Sequence, residues 1–525
     1  MIPAPDLKPI WHSILGFGWR ALGGCLLASL IHSAQAEGPR FELSLKAGLG
    51  SAATSGRLFV VASKSSQPEP RTEVARTDRR APFAVALDVK DLKAGALPVL
   101  LDATTSAFPH AAFAELPEGD YYVQALLEWN RDILLPDAPG NFFSPVKKVH
   151  LDPKSVASVA LELSQAIPEE QLPAETELVK YVKFESPLLT SFYGRPMFLR
   201  AGIILPRDFS KNPDRKYPLY VRIGGFASRY SLVSRLMGST GSGFRQIWMA
   251  DETPRMIMIH LDGAGPLGDP YQVNSANSGP YGDAVVNELI PFLEKMYRGI
   301  GDGHSRVLSG VSTGGWVSLA LQVYYPDAFN GVWSSCPDGV DLRAFQLINI
   351  YEDENAYLNK YGFERPSERD VNGEIRLTTR REVAIENLLG AGNSWTMSGG
   401  QWGAWNATYG LRGADGKPVP LWDPQTGIIN HAVAEQWKKY DLRMVLEENW
   451  ATLGPKLKGK IHIAVGDADN FYLNNAVHLL DEFLSHADPP YGGRIAYGPG
   501  KGHGWSDVNT SQMLKEMGAA MGTVK

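Results

Sequence analysis

The sequence predicts an α/β fold, in which a mostly parallel, doubly wound sheet is covered by helices and preceded by a smaller β-rich region. Apolar runs of strand length recur from residue 197 onwards and alternate with segments of helical periodicity. Such alternation is typical of a parallel sheet that is covered on both faces. Between residues 41 and 166 the apolar runs are short and separated by Pro, Gly and Asp, which predicts an all-β region.

The composition is that of an ordinary globular protein. The chain has 525 residues, which is enough for two or three domains, with 44% apolar and 21% charged residues. The net charge of −6 is spread along the chain and gives no reason to expect nucleic acid or an anionic membrane as a partner.

The first 36 residues have the pattern of a secretory signal peptide. Lys8 and Arg20 precede an apolar run from residue 21 to 31, and Ala34 and Ala36 supply the small residues of a cleavage site. The run is too short for a permanent membrane span. We therefore expect cleavage after Ala36 and a periplasmic or secreted protein. Only Cys336 would remain, which rules out an internal disulfide in the mature monomer.

Residues 37–175 are predicted to form a small antiparallel β-sandwich that ends in a linker. The linker is the polar stretch 167–177, which holds two prolines. The predicted strands are Gly56–Ala62, Phe83–Val89, Tyr121–Leu127 and Val156–Leu163. Asp132 and Asp137 have the chemistry of metal ligands, but solvated acids in loops are the more common explanation, so no metal site is predicted.

Residues 176–525 are predicted to form the α/β domain. The strand-length runs are Met197–Leu205, Tyr217–Ile223, Met256–Leu261, the stretch before residue 312, Lys460–Val465 and Arg494–Tyr497. Residues 281–297 have apolar positions at helical spacing and are predicted to form a helix before the fourth of these strands.

Gly310-Val-Ser-Thr-Gly314 is the strongest motif in the chain. It matches the G-x-S-x-G pattern of a nucleophile elbow, and it lies between a predicted strand and the predicted helix Trp316–Tyr324, as that motif requires. The glycines permit a turn so tight that side chains beside the serine would collide. Ser312 is thus predicted to be a nucleophile, and the N–H of Thr313 to bind an anion at the start of the helix.

Four segments in order resemble the putative esterase family of the α/β-hydrolase fold. They are Tyr217–Phe226, Asn287–Arg298, Gly310–Gly315 and Tyr325–Phe329, and the resemblance covers roughly residues 197–335 and 460–507. The family includes S-formylglutathione hydrolase (esterase D), enterochelin esterase and feruloyl esterases, with mycolyltransferases as near relatives. The resemblance implies a serine esterase. The sequence has neither a His-Glu-x-x-His motif nor clustered Cys and His residues, so no metal or organic cofactor is predicted.

A nucleophilic serine needs a base and a group that orients the base, and in this fold they follow in the order Ser, acid, His. The loop Gly466–Tyr472 follows a predicted strand, and the family's G-x-x-D-x-F segment selects Asp469 in it, with Asp467 as the alternative. His503 lies in a Gly-rich loop after the last predicted strand, where a catalytic base is expected. His260 and His462 fall inside strands and are expected to be structural.

The resemblance also implies a second oxyanion donor, the backbone N–H of Phe226. Many family members have His-Gly where this chain has Gly224-Gly225, and donation from the backbone survives that difference. Two such donors, Thr313 and Phe226, would stabilise the transition state by roughly 3 kcal/mol each.

Residues 337–450 are predicted to be an inserted cap that shapes the substrate site. Six of the thirteen tryptophans lie in this segment, and most are expected to form its own core. Trp402 and Trp405, in a Gly-rich stretch, are the candidates for a wall that contacts the substrate.

The resulting prediction is a serine carboxylesterase that acts through an acyl-enzyme on a small or oligomeric ester, with carbohydrate-linked esters among the candidates. Three alternatives stay open at this point. They are acyl transfer to a sugar or lipid hydroxyl, peptide hydrolysis by the same triad, and a non-catalytic glycan-binding protein.

Overall fold

The computed structural model describes residues 39–49, 54–78, 80–102, 104–110, 115–238 and 243–522. The predicted signal peptide, residues 1–36, lies outside the described residues. The described residues all belong to one compact unit. In the described ranges, none of the helices combines the length and the apolar character needed to cross a membrane.

The N-terminal region forms two sheets. Its described strands are β1 (Arg40–Leu45), β2 (Thr54–Ser63), β3 (Phe83–Leu92), β4 (Val99–Leu101), β5 (Ser106–Phe108), β6 (Gly119–Glu128), β7 (Phe142–Phe143), β8 (Lys147–Leu151), β9 (Ser158–Leu163) and β10 (Gln165–Ala166). The smaller sheet has the order β4-β1-β9, and the larger has the order β10-β7-β6-β2-β3-β5, with β8 also paired to β6.

The two sheets share one apolar core. Every second side chain of β1 is buried because successive residues of a strand point to opposite faces. Phe41, Leu43 and Leu45 therefore pack in one cluster with Leu58 and Val60 of β2.

One strand pair departs from the antiparallel prediction. β1 and β9 are parallel, with Arg40 opposite Ser158 and Leu45 opposite Leu163. A tight turn forces neighbouring strands to be antiparallel, but these two strands lie at opposite ends of the region, and the long connection between them permits parallel pairing.

The second region is built on an eight-stranded, mostly parallel sheet. Its strands and the short hairpins beside it are β11 (Val179–Glu185), β12 (Phe198–Ile204), β13 (Leu219–Ile223), β14 (Ile257–Leu261), β15 (Asn274–Ser275), β16 (Gly279–Pro280), β17 (Arg306–Val311), β18 (Val332–Ser335), β19 (Pro366–Arg369), β20 (Ile375–Thr378), β21 (Ile461–Gly466) and β22 (Arg494–Gly498). The order is β11-β12-β14-β13-β17-β18-β21-β22. All pairs from β14 to β22 are parallel, which confirms the predicted sheet.

Helices cover both faces of this sheet. The α-helices are α1 (Pro187–Tyr193), α2 (Leu232–Met237), α3 (Phe244–Met249), α4 (Tyr281–Asp283), α5 (Ile290–Tyr297), α6 (Thr313–Tyr324), α7 (Thr379–Leu389), α8 (Gln401–Tyr409), α9 (His431–Trp437), α10 (Leu442–Leu457), α11 (Asn474–Ser485) and α12 (Thr510–Ala520). A π-helical turn, Ala284–Leu289, joins α4 to α5 within the predicted helix. Val221 of β13 packs with Val317 of α6, whereas Tyr220 packs on the opposite face with Leu514 of α12.

Residues 337–450 connect β18 to β21. They contain the β19–β20 hairpin and helices α7 to α9, and α10 begins within them and continues to Leu457. The tryptophans of this segment belong to the same apolar cluster as the sheet and α6, so the segment packs directly on the α/β region.

Candidate active site

The sequence-predicted site residues follow the carboxyl ends of parallel strands. Ser312 follows β17, Asp469 follows β21 and His503 follows β22, while Phe226 follows β13. The carboxyl ends of parallel strands meet at one edge of a sheet, and this edge is where ligands bind in open α/β folds.

Ser312 occupies a strained turn between β17 and α6. Its φ is 60° and its ψ is −125°, a conformation that non-glycine residues seldom adopt. A Cβ on Gly310 would lie 1.8 Å from the carbonyl oxygen of Gly314, and a Cβ on Gly314 would lie 2.3 Å from the carbonyl oxygen of Gly224. The two glycines of the motif are therefore required by the close approach of three backbone segments.

Asp469 and His503 form a direct pair. Nδ1 of His503 lies 2.9 Å from Oδ2 of Asp469, which is fully buried. The other oxygen of Asp469 accepts a hydrogen bond of 2.9 Å from the N–H of Phe471, which fixes the orientation of the carboxylate. Asp467, the alternative acid, instead accepts a hydrogen bond of 2.7 Å from the N–H of Gly500 and holds the loop.

The histidine loop lies beside the end of β18, next to Ser312. The N–H of Ser312 donates to the carbonyl of Ser335 at 3.0 Å. The next residue, Cys336, accepts a hydrogen bond at its Sγ from the N–H of Gly504 at 3.1 Å. Sγ of Cys336 and one side-chain atom each of Asp469 and His503 lie within 4.8 Å of one another. Within the described ranges Oγ of Ser312 makes no hydrogen bond.

Opposing effects act on the imidazole of His503. Burial lowers its pKa, but the hydrogen bond to Asp469 and the contact with Cys336 outweigh burial and raise the pKa to about 10. The ring also packs edge-on against Phe471, with 4.9 Å between the centroids. Of the two histidines that were predicted to be structural, His260 is fully buried against Arg222 and Ser228.

The loop after β13 lies against the serine turn. A Cβ on Gly225 would lie 3.8 Å from Cβ of Ser312, so the backbone before Phe226 lies near the serine, with room for about a methyl group between them. Ala227, with a φ of 54°, donates its N–H to Oδ2 of Asp269 at 3.0 Å.

Trp402 and Trp405 are core residues rather than parts of an open wall. Each is 2% exposed, and their rings lie 5.0 Å apart in an edge-to-face arrangement. Phe345 packs against both. The two tryptophans adjoin a Gly-rich stretch, which raised the expectation of exposure, but that stretch only allows the chain to turn into α8, whose residues from Trp402 onwards are buried.

Three buried residues near the serine were not singled out from the sequence, namely Asp269, Tyr271 and Asp338. Oδ2 of Asp338 accepts hydrogen bonds from the hydroxyl of Thr313 at 2.9 Å and from the hydroxyl of Tyr271 at 2.8 Å. The signal that could have identified Asp338 is its position just after β18, at the same edge of the sheet as Ser312.

Comparison with known proteins identifies a family. Residues 198–488 match the family model described as "Putative esterase", a range that includes Ser312 and Asp469 and ends before His503. No curated protein matches the chain.

Solved structures with some similarity include two esterase types. A ferulic acid esterase has 16% identity and a TM-score of 0.39, with 65% of this chain and 98% of that chain covered. An S-formylglutathione hydrolase from Agrobacterium tumefaciens has 13% identity and a TM-score of 0.37, with 68% and 99% covered. The S-formylglutathione hydrolase FrmB from Staphylococcus aureus has 14% identity and a TM-score of 0.35, with 65% and 98% covered.

These scores are low, so the assignment depends on the family model, which matches more than half of the chain. The chain belongs to the putative esterase family and is a carboxylic ester hydrolase.

Proposed function

We propose that the protein is a serine carboxylesterase whose catalytic triad is Ser312, His503 and Asp469. The observation that carries the proposal is the 2.9 Å pair of His503 and buried Asp469 beside the strained turn that presents Ser312. A hydroxyl becomes nucleophilic only with a base that a third group orients, and these residues supply both.

The proposed reaction proceeds through an acyl-enzyme. His503 takes the proton of Ser312 as Oγ attacks the ester carbonyl, and Asp469 holds the imidazole in the tautomer that has its free nitrogen towards the serine. The tetrahedral intermediate collapses when the C–O bond of the alcohol breaks and His503 returns the proton to the leaving oxygen. Water then attacks the acyl-enzyme, again with His503 as base, and releases the carboxylic acid and free Ser312.

The N–H groups of Thr313 and Phe226 are proposed to bind the oxyanion. Thr313 is the first residue of α6, where N–H groups lack partners within the helix and the dipole favours negative charge. Support for Phe226 comes from the position of the preceding Gly225, where an added Cβ would lie 3.8 Å from Cβ of Ser312.

The remaining regions are proposed to serve this site. Residues 37–175 would be an accessory β-sandwich, residues 176–525 the α/β-hydrolase domain, and residues 337–450 a cap over it. The signal pattern of residues 1–36 supports a periplasmic or secreted enzyme. The proposed substrate is a small or oligomeric ester. Trp402 and Trp405 are buried, so they do not serve to select its acyl group.

Hydrolysis of 4-nitrophenyl esters of increasing acyl length tests this proposal. We expect turnover by the wild type, a loss of kcat by about 10³-fold or more in Ser312→Ala and in His503→Ala, and near wild-type kcat in Asp467→Asn. A folded Ser312→Ala variant that retains full activity would refute the proposal. An added alcohol that captures most of the acyl group in competition with water would favour acyl transfer instead.

A further inference from the structure

We propose that Asp269, Tyr271 and Asp338 are positioning residues that form one hydrogen-bonded brace behind the oxyanion hole. The brace connects the loop that carries Phe226 to the first turn of α6, which carries Thr313. This inference rests on the proposed function, because it assigns to three buried residues the task of holding its two oxyanion donors in place.

Tyr271 is the centre of the brace. It is fully buried, its N–H donates to Oδ1 of Asp269 at 3.0 Å, and its hydroxyl donates to Oδ2 of Asp338 at 2.8 Å. Its φ is 54°, which is unusual for an aromatic residue and persists only where the surroundings fix the backbone. One residue thus joins two carboxyl groups that lie in different loops.

Asp269 holds the loop of Phe226. Its Oδ2 accepts a hydrogen bond of 3.0 Å from the N–H of Ala227, the residue that directly follows Phe226. Ala227 also has a positive φ of 54°, so this hydrogen bond stabilises a backbone conformation that the residue would not choose by itself. Because the peptides are contiguous, fixing Ala227 limits the movement of the Phe226 N–H.

Asp338 holds the start of α6. Its Oδ2 accepts from the hydroxyl of Thr313 at 2.9 Å, and its N–H donates to the carbonyl of Ser312 at 3.3 Å. The same oxygen accepts a hydrogen bond of 3.2 Å from Nε1 of Trp405 in α8. The serine turn is therefore attached both to Tyr271 and to the inserted segment.

A purely structural role does not explain two carboxyl groups at this place. Burial raises the pKa of Asp269 to about 7 and raises the pKa of Asp338, despite the hydrogen bonds that oppose the shift. Buried acids of this kind are costly, and well-packed apolar residues are often more stable. Costly polar groups are expected where a site requires donors in fixed positions, and an oxyanion hole is such a site.

The test compares two tyrosines that differ in what their hydroxyl groups contact. Tyr271→Phe removes the link to Asp338, whereas Tyr409→Phe is the matched control. Tyr409 is 1% exposed, its ring lies 5.9 Å from that of Tyr271, and its hydroxyl is buried without a hydrogen-bond partner in the described ranges. Thr313→Val is the second variant, since it removes the hydroxyl that contacts Asp338 and keeps the backbone N–H.

The measurements are kcat and KM for 4-nitrophenyl butyrate, the inhibition constant of a trifluoromethyl ketone, and the melting temperature. We expect Tyr271→Phe and Thr313→Val to lower kcat by about tenfold or more. KM should stay within about twofold, because a group that acts only in the transition state leaves substrate binding unchanged. The ketone forms an oxyanion when it is bound, so its inhibition constant should rise in proportion to the loss of kcat/KM. Tyr409→Phe should match the wild type in all of these measurements.

The brace is refuted if Tyr271→Phe and Thr313→Val both retain wild-type kcat, or if they raise only KM. It is also refuted if Tyr409→Phe loses as much kcat as Tyr271→Phe, because the cause would then be general loosening. If Tyr271→Phe fails to fold, Thr313→Val decides between these outcomes. Failure of the proposed function is distinguishable, because Ser312→Ala would then remain active.

Discussion

His503 experiences opposite effects from burial and from its hydrogen-bond partners. Burial lowers its pKa, and the hydrogen bond to Asp469 and the contact with Cys336 raise it to a net value above 6.5. A histidine accepts a proton only when it is neutral, so we expect kcat/KM to rise with pH through a pKa above 6.5. Asp469→Asn should move this rising limb of the pH profile to lower pH and should reduce the maximum value of kcat/KM.

This prediction is measured by the pH dependence of kcat/KM for the wild type and for Asp469→Asn between pH 5 and about 10.5. A wild-type limb at or below 6.5 that is unchanged in Asp469→Asn would contradict the assignment of the pair. The raised pKa also affects stability, because the folded state binds the proton more tightly than the unfolded state. The resulting stabilisation is fully present below pH 6.5 and is lost as pH rises through the folded pKa.

The sequence was sufficient to select Ser312, Asp469 and His503 as candidates, whereas the brace was not predictable. The first three lie in short motifs whose order and strand context are visible along the chain. Tyr271 contacts Asp338 across 67 positions of sequence, and neither residue belongs to a motif. Their proximity depends on how the loops fold over the strand ends, and so does the burial of Trp405.

At the scale of elements, Glu386 of α7 joins two helices of the inserted segment. Its carboxylate accepts from the N–H groups of Trp402 and Gly403 at 2.9 and 2.8 Å, and from the hydroxyl of Ser398 at 2.7 Å. It thus caps the N-terminus of α8 from outside that helix. Burial raises its pKa to about 8, although these hydrogen bonds oppose the shift.

We expect Glu386→Ala to lower the free energy of unfolding by about 1–3 kcal/mol, because it leaves buried N–H groups without an acceptor. Glu447→Gln is the control, since Glu447 forms a half-exposed ion pair with Arg443 within α10 and should contribute about 0.5 kcal/mol or less. Urea unfolding measures both values. Equal effects of the two substitutions would show that Glu386 does not hold α8.

The predicted strands of the parallel sheet correspond closely to the observed ones, but the helices of the inserted segment did not emerge from the sequence. A strand buried on both faces reads as a mainly apolar run, as in β14, where every residue is buried and only His260 is polar. In α8 every residue from Trp402 to Tyr409 is buried, so the helix lacks the apolar stripe by which a surface helix is recognised.

At the scale of the whole molecule, the N-terminal region is attached to the inserted segment by hydrogen bonds from Arg57, a contact called the clamp below. Arg57 of β2 is 5% exposed, and its guanidinium donates to the carbonyl of Leu388 at the end of α7 at 2.7 and 3.1 Å. It also donates to Asp88 at 3.0 Å and to Asn393 at 2.6 Å. A cation at the C-terminus of a helix satisfies its free carbonyl groups and interacts favourably with its dipole.

Arg57→Ala should therefore loosen α7 while the N-terminal sheets stay folded. We expect faster hydrogen exchange in residues 379–393 and a lower melting temperature. The free energy of unfolding should fall by about 1–3 kcal/mol, because buried acceptors lose their donor. Lys148→Ala, which breaks an exposed ion pair between Lys148 of β8 and Asp120 of β6, should leave both properties unchanged. Unaltered exchange in residues 379–393 of Arg57→Ala would contradict the clamp.

Covalent labelling by a fluorophosphonate is the most direct test of an activated Ser312. The folded wild type should gain the mass of one phosphonyl group, and peptide mapping should place it on Ser312. Labelling should be absent in Ser312→Ala and strongly reduced in His503→Ala, because the hydroxyl then has no base. A folded wild type that takes up no label, or that takes it up at another residue, would contradict the proposed triad.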